Sequence, residues 1–450
     1  MAGVISRGIR GPIIREGDDI VDIVVNSVYA SEQADGYTLQ DRDVIAVTES
    51  VVARAQGNYV TVDQVAQDIR NKFPAKKLGL VFPILSRNRF SMCLKGIARA
   101  MDEVVILFSY PNDEVGNPLM VRSAYLKNRY SGVYDFQEAD FVKTFGSPVH
   151  PFTGVNYLDF YREVIESEGA KATFLFSNDC RYIASFCDQV LCCDIHTRNE
   201  TRDVLQAMGK TVFTLADVMS APVNGSGYHD KYGMLGSNKA TEEKLKLFPR
   251  NCQPVVDSIQ ARIAKERGLH VEVMVYGDGA FKDPVGGIWE LADPVVSPAY
   301  TAGLAGKPNE LKLKFLADND FADLSGEALQ EAIRQEIKAK NADLVGDMSS
   351  EGTTPRQYTD LLGSLCDLTS GSGDKGTPFI VIRTTSPTTQ SEEIGDPLRW
   401  APKFEGPRSP ARKLPGRLRP GSSHLRAHLF LRLRALEICD AFEGRRFCYF

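Results

Sequence analysis

The chain has 450 residues, 25% charged and 43% apolar, with a formal net charge of −5. That is an ordinary globular balance, with apolar material for roughly two to three domains at about 150 residues each and too little excess charge to point to nucleic acid. No apolar run approaches the ~20 residues of a membrane helix, and the opening MAGVISRGIRGPII lacks the apolar core of a signal peptide. A cytoplasmic protein without nucleic-acid or membrane partners is expected. Nine scattered cysteines, an odd number, fit a reducing compartment better than a disulfide framework.

In chain order, Asp43–Thr48 reads as a short buried strand after the turn Gln40-Asp41-Arg42, and Ser50–Ala55 as helical. Val62, Val65, Ala66, Ile69 and Phe73 keep helical spacing up to Pro74. Leu78–Leu85 reads as a strand, Phe90–Met101 as an amphipathic helix, and Val104–Ser109 as a strand running into the turn Tyr110–Asp113. A second section, 121–265, alternates between the two. It runs helix Tyr157–Ser167, strand Ala172–Phe176, short helix Tyr182–Phe186, strand Gln189–Cys193, helix Glu200–Met208, strand Thr211–Thr214 and loop Val223–Lys239. Such alternation predicts a small parallel α/β domain with right-handed crossovers. A third section, 266–383, carries helices at Ser325–Lys340, with Ser325 as N-cap, and from about Pro355 to Leu368, then a closing strand Pro378–Arg383. Beyond 384 the texture changes: residues 397–450 hold 12 lysines and arginines against 4 aspartates and glutamates. A disordered basic tail and an out-of-frame or foreign extension both account for this, and related reading frames that continue through the tail would exclude the second.

Chemistry concentrates where strands end. Val271–Gly306 begins as an apolar strand and stops at Gly277-Asp278-Gly279, with Lys282 and Asp283 following. Open α/β sheets present ligand groups at such strand ends. Carboxylates beside glycine suit Mg²⁺ or Mn²⁺ shared with substrate phosphates, so Asp278 and Asp283 are candidate metal ligands. An acidic turn is the plainer alternative.

Arg10-Gly11-Pro12 lies in a glycine-spaced basic stretch able to hold phosphate, or forms a simple turn. Thr48 and Ser50 stand where a strand meets a helix, as anion contacts or as an ordinary N-cap. Ser86–Ser91, with Asn88 between two arginines, and Ser109–Asn117 are polar junctions of the same kind, or solvated turns. Gly371 and Lys375 lie in a Gly/Ser loop after a helix and before a strand, the reverse of a P-loop, which leaves phosphate contact or a plain surface loop. Cys187, Cys192, Cys193, Asp194 and His196 contain no CxxC pair and read as structural rather than zinc-binding.

Taken in order, these pieces resemble the coenzyme F-420 gamma-glutamyl ligase family. Arg10–Ile20 is similar to its G-x-P-x-I-x-x-G-D-D-L, and Asp43–Gly57 to its D-V-L-V-V-T-x-K-x-x-S-K-A-E-G. Pro111 and Asp113 resemble a proline–acid pair, and Tyr276–Pro284 the D-T-x-G-R-P block. Asp360–Gly371 resembles A-D-E-L-x-x-A-A-E-L-x-x-G, and Gly376–Arg383 the closing G-x-P-x-V-x-I-R. The likeness covers about 1–120 and 266–383.

The fold this implies is a mixed α/β ligase-like domain (1–120 and 266–383) split by an inserted small parallel α/β domain (121–265) and followed by a tail (384–450). The resemblance implies a homodimeric, Mg²⁺- or Mn²⁺-dependent amide ligase. GTP or ATP would activate a small-molecule carboxylate for attack by L-glutamate. Asp278 would then hold the metal, and Arg10, Gly11, Pro12, Thr48, Ser50, Asn88, Gly371 and Lys375 would face the nucleotide. No catalytic residue is assigned.

Departures are specific. The family lysine is Ser50, S-K-A-E-G becomes Ala53-Arg54-Ala55-Gln56-Gly57, and the threonine after the metal aspartate is Gly279. An acid–Ser–Asn motif is replaced near Ser86–Ser91 by arginines. They motivate two alternatives: a non-catalytic binding descendant of the fold, and a separate activity in the middle section.

Overall fold

The computed structural model describes residues 4–109 except 84 and 88, then 134–150, 154–195, 197–277, 297–306, 309–341, 343–344, 346–350, 357–371 and 375–384, with the backbone of 280–282 and 289–291. All of these lie in one unit, Met1–Arg399. The turn Tyr110–Asp113, Asn88, His196, Asp278, Asp283 and the tail beyond 384 fall outside the described residues.

β1 (Val4–Ile9) leads to α1 (Ile20–Asp35), whose N-cap Asp19 accepts from the Asp22 amide and whose end is turned by left-handed Gly36. β2 (Val44–Thr48), α2 (Glu49–Ala55), β3 (Tyr59–Thr61) and α3 (Val62–Lys72) follow, α3 opening in a Thr61–Gln64 capping box. Next come β4 (Lys77–Val81), α4 (Phe90–Ala100), β5 (Glu103–Phe108), β6 (Phe136–Gln137), α5 (Glu138–Phe145), α6 (Tyr157–Ser167) and β7 (Lys171–Phe176). β8 (Gln189–Cys192), α7 (Arg198–Ala207), β9 (Thr211–Thr214), β10 (Asn238–Thr241), β11 (Lys244–Lys246) and α8 (Gln253–Arg267) precede β12 (Glu272–Tyr276). The hairpin β13 (Ala280–Lys282) and β14 (Trp289–Leu291) then leads to β15 (Ala299–Tyr300). Last are α9 (Leu313–Asp318), α10 (Gly326–Ala339), α11 (Tyr358–Thr369) and β16 (Phe379–Thr384).

Two sheets carry the architecture. The first has the order β1-β16-β2-β12-β15. Only β2 and β12 pair in parallel; β16 runs antiparallel between β1 and β2. Both faces are covered, so alternate residues enter different cores. Ile45, Val47, Val273, Val275, Phe379 and Val381 pack with Val24, Val28 and Ile259 of α1 and α8. Val44, Ala46, Met274, Tyr276 and Ile380 pack with Leu362 and Cys366 of α11.

The second sheet has the order β6-β7-β5-β4-β8-β9, parallel from β7 to β9, with β6 antiparallel at one edge. α3, α4 and α6 cover one face through Val65, Ile97 and Tyr161. On the other, Leu205 of α7 and Ile183 of a 3₁₀ turn, Cys180–Ser185, meet Val81, Val105 and Cys192. Gly79 is needed in β4, because a Cβ there would stand 2.9 Å from Ile183 Cγ1. A small sheet, β10-β11-β3, runs from this layer toward α2.

The strand expected over Leu78–Leu85 stops at Val81, because Phe82 turns to φ 53° and a proline follows. Ser325 does precede α10, but its side chain makes no capping bond and Gly326 takes φ 59°. α1 and α8 stand where no helix was expected. The parallel sheet draws β4 and β5 from residues 77–108, so as a layer it begins well before residue 121.

Candidate functional site

β2 and β12 end side by side, with Thr48 in register with Tyr276. This is the only parallel pair described in the first sheet, and both carboxyl ends point to one edge. Gly277 then opens the stretch to Asp278, whose position lies outside the described residues.

The segment 376–378, at the entry to β16, ties three predicted elements to this edge. The Gly11 amide donates to Gly376 O at 3.1 Å, the Thr48 amide to Pro378 O at 3.0 Å, and the Thr377 amide to Gly371 O at 2.9 Å. Gly11 is required by close approach: a Cβ would come 2.9 Å from both the Phe379 ring and Pro378 Cγ. Arg10 and Pro12 flank it on the exposed side, and Lys375 is exposed on the neighbouring loop. Gly11 and Thr48, near the start of the chain, and Gly371, more than three hundred residues later, are thus joined through three residues of backbone. Thr48 occupies the N-cap position of α2 without making a side-chain cap bond, so its hydroxyl is not used there.

Two hydroxyls at this crossing are orphaned. Tyr276 Oη and Thr377 Oγ1 are buried and make no hydrogen bond among the described residues. Burial pushes the Tyr276 phenol well above its ordinary value, while the nearby Ser370 and Thr48 hydroxyls oppose that without reaching full hydrogen-bond geometry. A buried polar atom without a partner is costly, and ordered water, an ion or a ligand group is what relieves it. Hydroxyl donors next to close-packed glycine backbone suit phosphate oxygens, and the acids that follow Gly277 in the chain are the oxygen donors a hard divalent cation prefers.

Not every predicted residue joins this edge. Ser50 lies in α2, half-buried. Ser86–Ser91 belongs to the second sheet: buried Ser86 takes its place there by donating its amide to Tyr161 Oη at 2.9 Å. Cys187, Cys192 and Cys193 are buried, and burial pushes the Cys187 thiol up to about 12. Among the described residues no group of three His, Cys, Asp or Glu side chains could hold a metal ion.

Sequence reasoning missed one charged pair beside the site. Lys246 Nζ of β11 donates to both Glu49 carboxylate oxygens at 2.8 and 2.9 Å, and each side chain is only 7% exposed. Glu49 is the first residue of α2, so this pair fixes the backbone that follows Thr48. A buried lysine in β11 facing a glutamate 197 positions earlier leaves no local signal.

A mixed α/β fold with its site at parallel strand ends is the setting of an enzyme handling a small ligand. The family model of F420-0:Gamma-glutamyl ligase matches residues 8–384, and the chain belongs to that family of ligases. The match runs through the middle section that the motif resemblance leaves uncovered. No curated protein matches the chain.

Proposed function

We propose that the chain is a nucleotide-dependent amide ligase that joins L-glutamate, or another amino acid, to a small carboxylate-bearing metabolite. The observation that carries this reading is the convergence of Gly11, Thr48 and Gly371 on segment 376–378, beside the strand end that leads to Asp278. GTP or ATP lies along this edge. Arg10, the Gly11–Pro12 turn, Thr48, Gly371 and Lys375 are its proposed contacts, and Asp278 and Asp283 hold Mg²⁺ or Mn²⁺. The cation neutralises phosphate charge when bound.

The substrate carboxylate attacks the γ-phosphorus and the nucleoside diphosphate leaves, giving an acyl phosphate. The free amine of the amino acid then attacks the acyl carbon, losing a proton, and inorganic phosphate departs. Tyr276 and Thr377 supply hydroxyl donors for phosphate oxygens, and the apolar faces on both sides of the sheet keep water away. We also propose a cytoplasmic homodimer, and a ligase-like domain formed by 1–120 and 266–383 that residues 121–265 interrupt, with β4 and β5 of the first part lending strands to the parallel sheet.

Thermal shift of the full chain with GTP or ATP and Mn²⁺, followed by mass spectrometry for products heavier by one glutamyl unit, tests the reading. Failure to bind either nucleotide would sink it. Binding without turnover, unchanged in Asp278→Ala, would favour the non-catalytic alternative raised by Ser50 and the arginines at Ser86–Ser91.

A further inference from the structure

The doubly wound sheet has a crevice of its own. The chain steps outward from β4 to β5 to β7, then returns to place β8 on the other flank of β4 and β9 beyond it. Winding therefore reverses between β4 and β8, and ligands of such sheets bind outside the strand carboxyl ends at that reversal.

A cleft of about 810 Å³ opens there. Phe82, just past β4, forms one wall, residues 177–181 past β7 another, and Glu200 and Val204 of α7 a third. Its floor is hydrogen-bonded: Ser177 Oγ donates to Asp135 Oδ1 at 2.6 Å, and the Asp179 amide donates to Ser177 Oγ at 2.9 Å. Arg181 is spent on Asp179, with Nε and Nη2 at 2.9 and 2.5 Å from Oδ2. Asp135 Oδ2 and the Glu200 carboxylate make no hydrogen bond or ion pair among the described residues.

Several observations narrow the ligand. The connection after β4, FPILSRNR, has no glycine, so it offers no close-approach cradle for a dinucleotide pyrophosphate. Three carboxylates against one paired arginine repel anions. No metal-holding group occurs among the described residues. Aromatic faces are present as well, since Phe82 and Tyr134 both line the cleft and Tyr134 is 49% exposed. Carboxylates together with aromatic rings recognise organic cations.

We propose that this cleft binds a small amine-bearing metabolite, its ammonium held by Asp135 and Glu200 and its hydrocarbon arm lying against Phe82, Tyr134 and Val204. The site belongs to the second sheet and needs no nucleotide, so it stands or falls separately from the ligase reading.

Calorimetry on the full chain without nucleotide tests it, with spermidine and 1-aminopentane as probes and 1-pentanol as the uncharged control. Saturable binding of an amine but not of the alcohol is expected. Asp135→Asn combined with Glu200→Gln should weaken it about tenfold or more. Val204→Trp should block it by filling the cleft, with its Tm unchanged because Val204 faces water. Absence of saturation with both amines, or wild-type affinity retained in either variant, would overturn the proposal.

Discussion

Arg383 of β16 grips Asp43 at the start of β2, Nε to Oδ1 at 2.8 Å and Nη2 to Oδ2 at 2.6 Å. The Asp43 side chain is 2% exposed and that of Arg383 28%. Removing the arginine strands a buried carboxylate. Arg383→Ala should cost about 2–3 kcal/mol, less than the ~3–5 kcal/mol of a fully buried pair because the guanidinium keeps some water. Urea unfolding measures it; a change of only a few tenths would mean that the clamp is incidental.

The Glu49–Lys246 pair is more deeply buried, so the two single variants should be worse than the double. Lys246→Met alone is expected to lose about 3–5 kcal/mol. Adding Glu49→Leu should restore much of that, since an apolar pair is often no less stable than a buried ionic one. A double-mutant cycle by chemical denaturation reads the coupling, and simple additivity would contradict it.

His229 sets a pH dependence. Its Nδ1 accepts from the amides of Lys231 and Tyr232 at 3.2 and 3.1 Å, so the folded chain needs that nitrogen unprotonated. Burial holds its pKa below the ordinary 6.5. The unfolded chain therefore binds the proton more readily, and this stability is present above pH 6.5 and lost as pH falls through the lower folded value. Tm measured from neutral to mildly acid pH should fall, and His229→Gln should flatten that slope. An unaltered slope in the variant would assign the acid sensitivity to other groups.

Tyr276→Phe separates structure from ligand binding. Deleting a buried hydroxyl that has no partner should leave stability equal or slightly raised. If that hydroxyl meets phosphate, nucleotide affinity should drop about tenfold, the ~1.4 kcal/mol expected of one lost hydrogen bond. Titration of nucleotide and Mn²⁺ into both proteins decides; identical affinities would remove Tyr276 from the site.

Much of the layering was legible in sequence. Asp43–Thr48, Val104–Ser109 and Gln189–Cys193 are continuous apolar runs because the strands are buried on both faces, and each is found as a strand. α1 was hidden by its own composition: Val and Ile at six of its first nine positions read as strand-forming, although Asp19 and Gly36 bracket it as caps. Pairing was the harder problem. Nothing local in Leu78–Val81 says whether it joins Val44–Thr48 or Gln189–Cys192, and long-range contacts made the choice for the latter. The crossing at 376–378 was foreshadowed by glycines but not by geometry, and the orphaned Tyr276 hydroxyl had no sequence signal, because the residues around it come from distant elements.

β16 is the last strand described, yet it lies between β1 and β2 rather than at an edge. During synthesis β1 therefore emerges without the one partner it has among the described strands, and must wait for nearly four hundred residues to leave the ribosome. Until then β1 and one flank of β2 present open hydrogen-bonding rims, the kind of edge that recruits chaperones or other nascent chains. The strands of the parallel sheet are complete by residue 214 and its core by Leu247, so that layer has all its parts long before β16 is made.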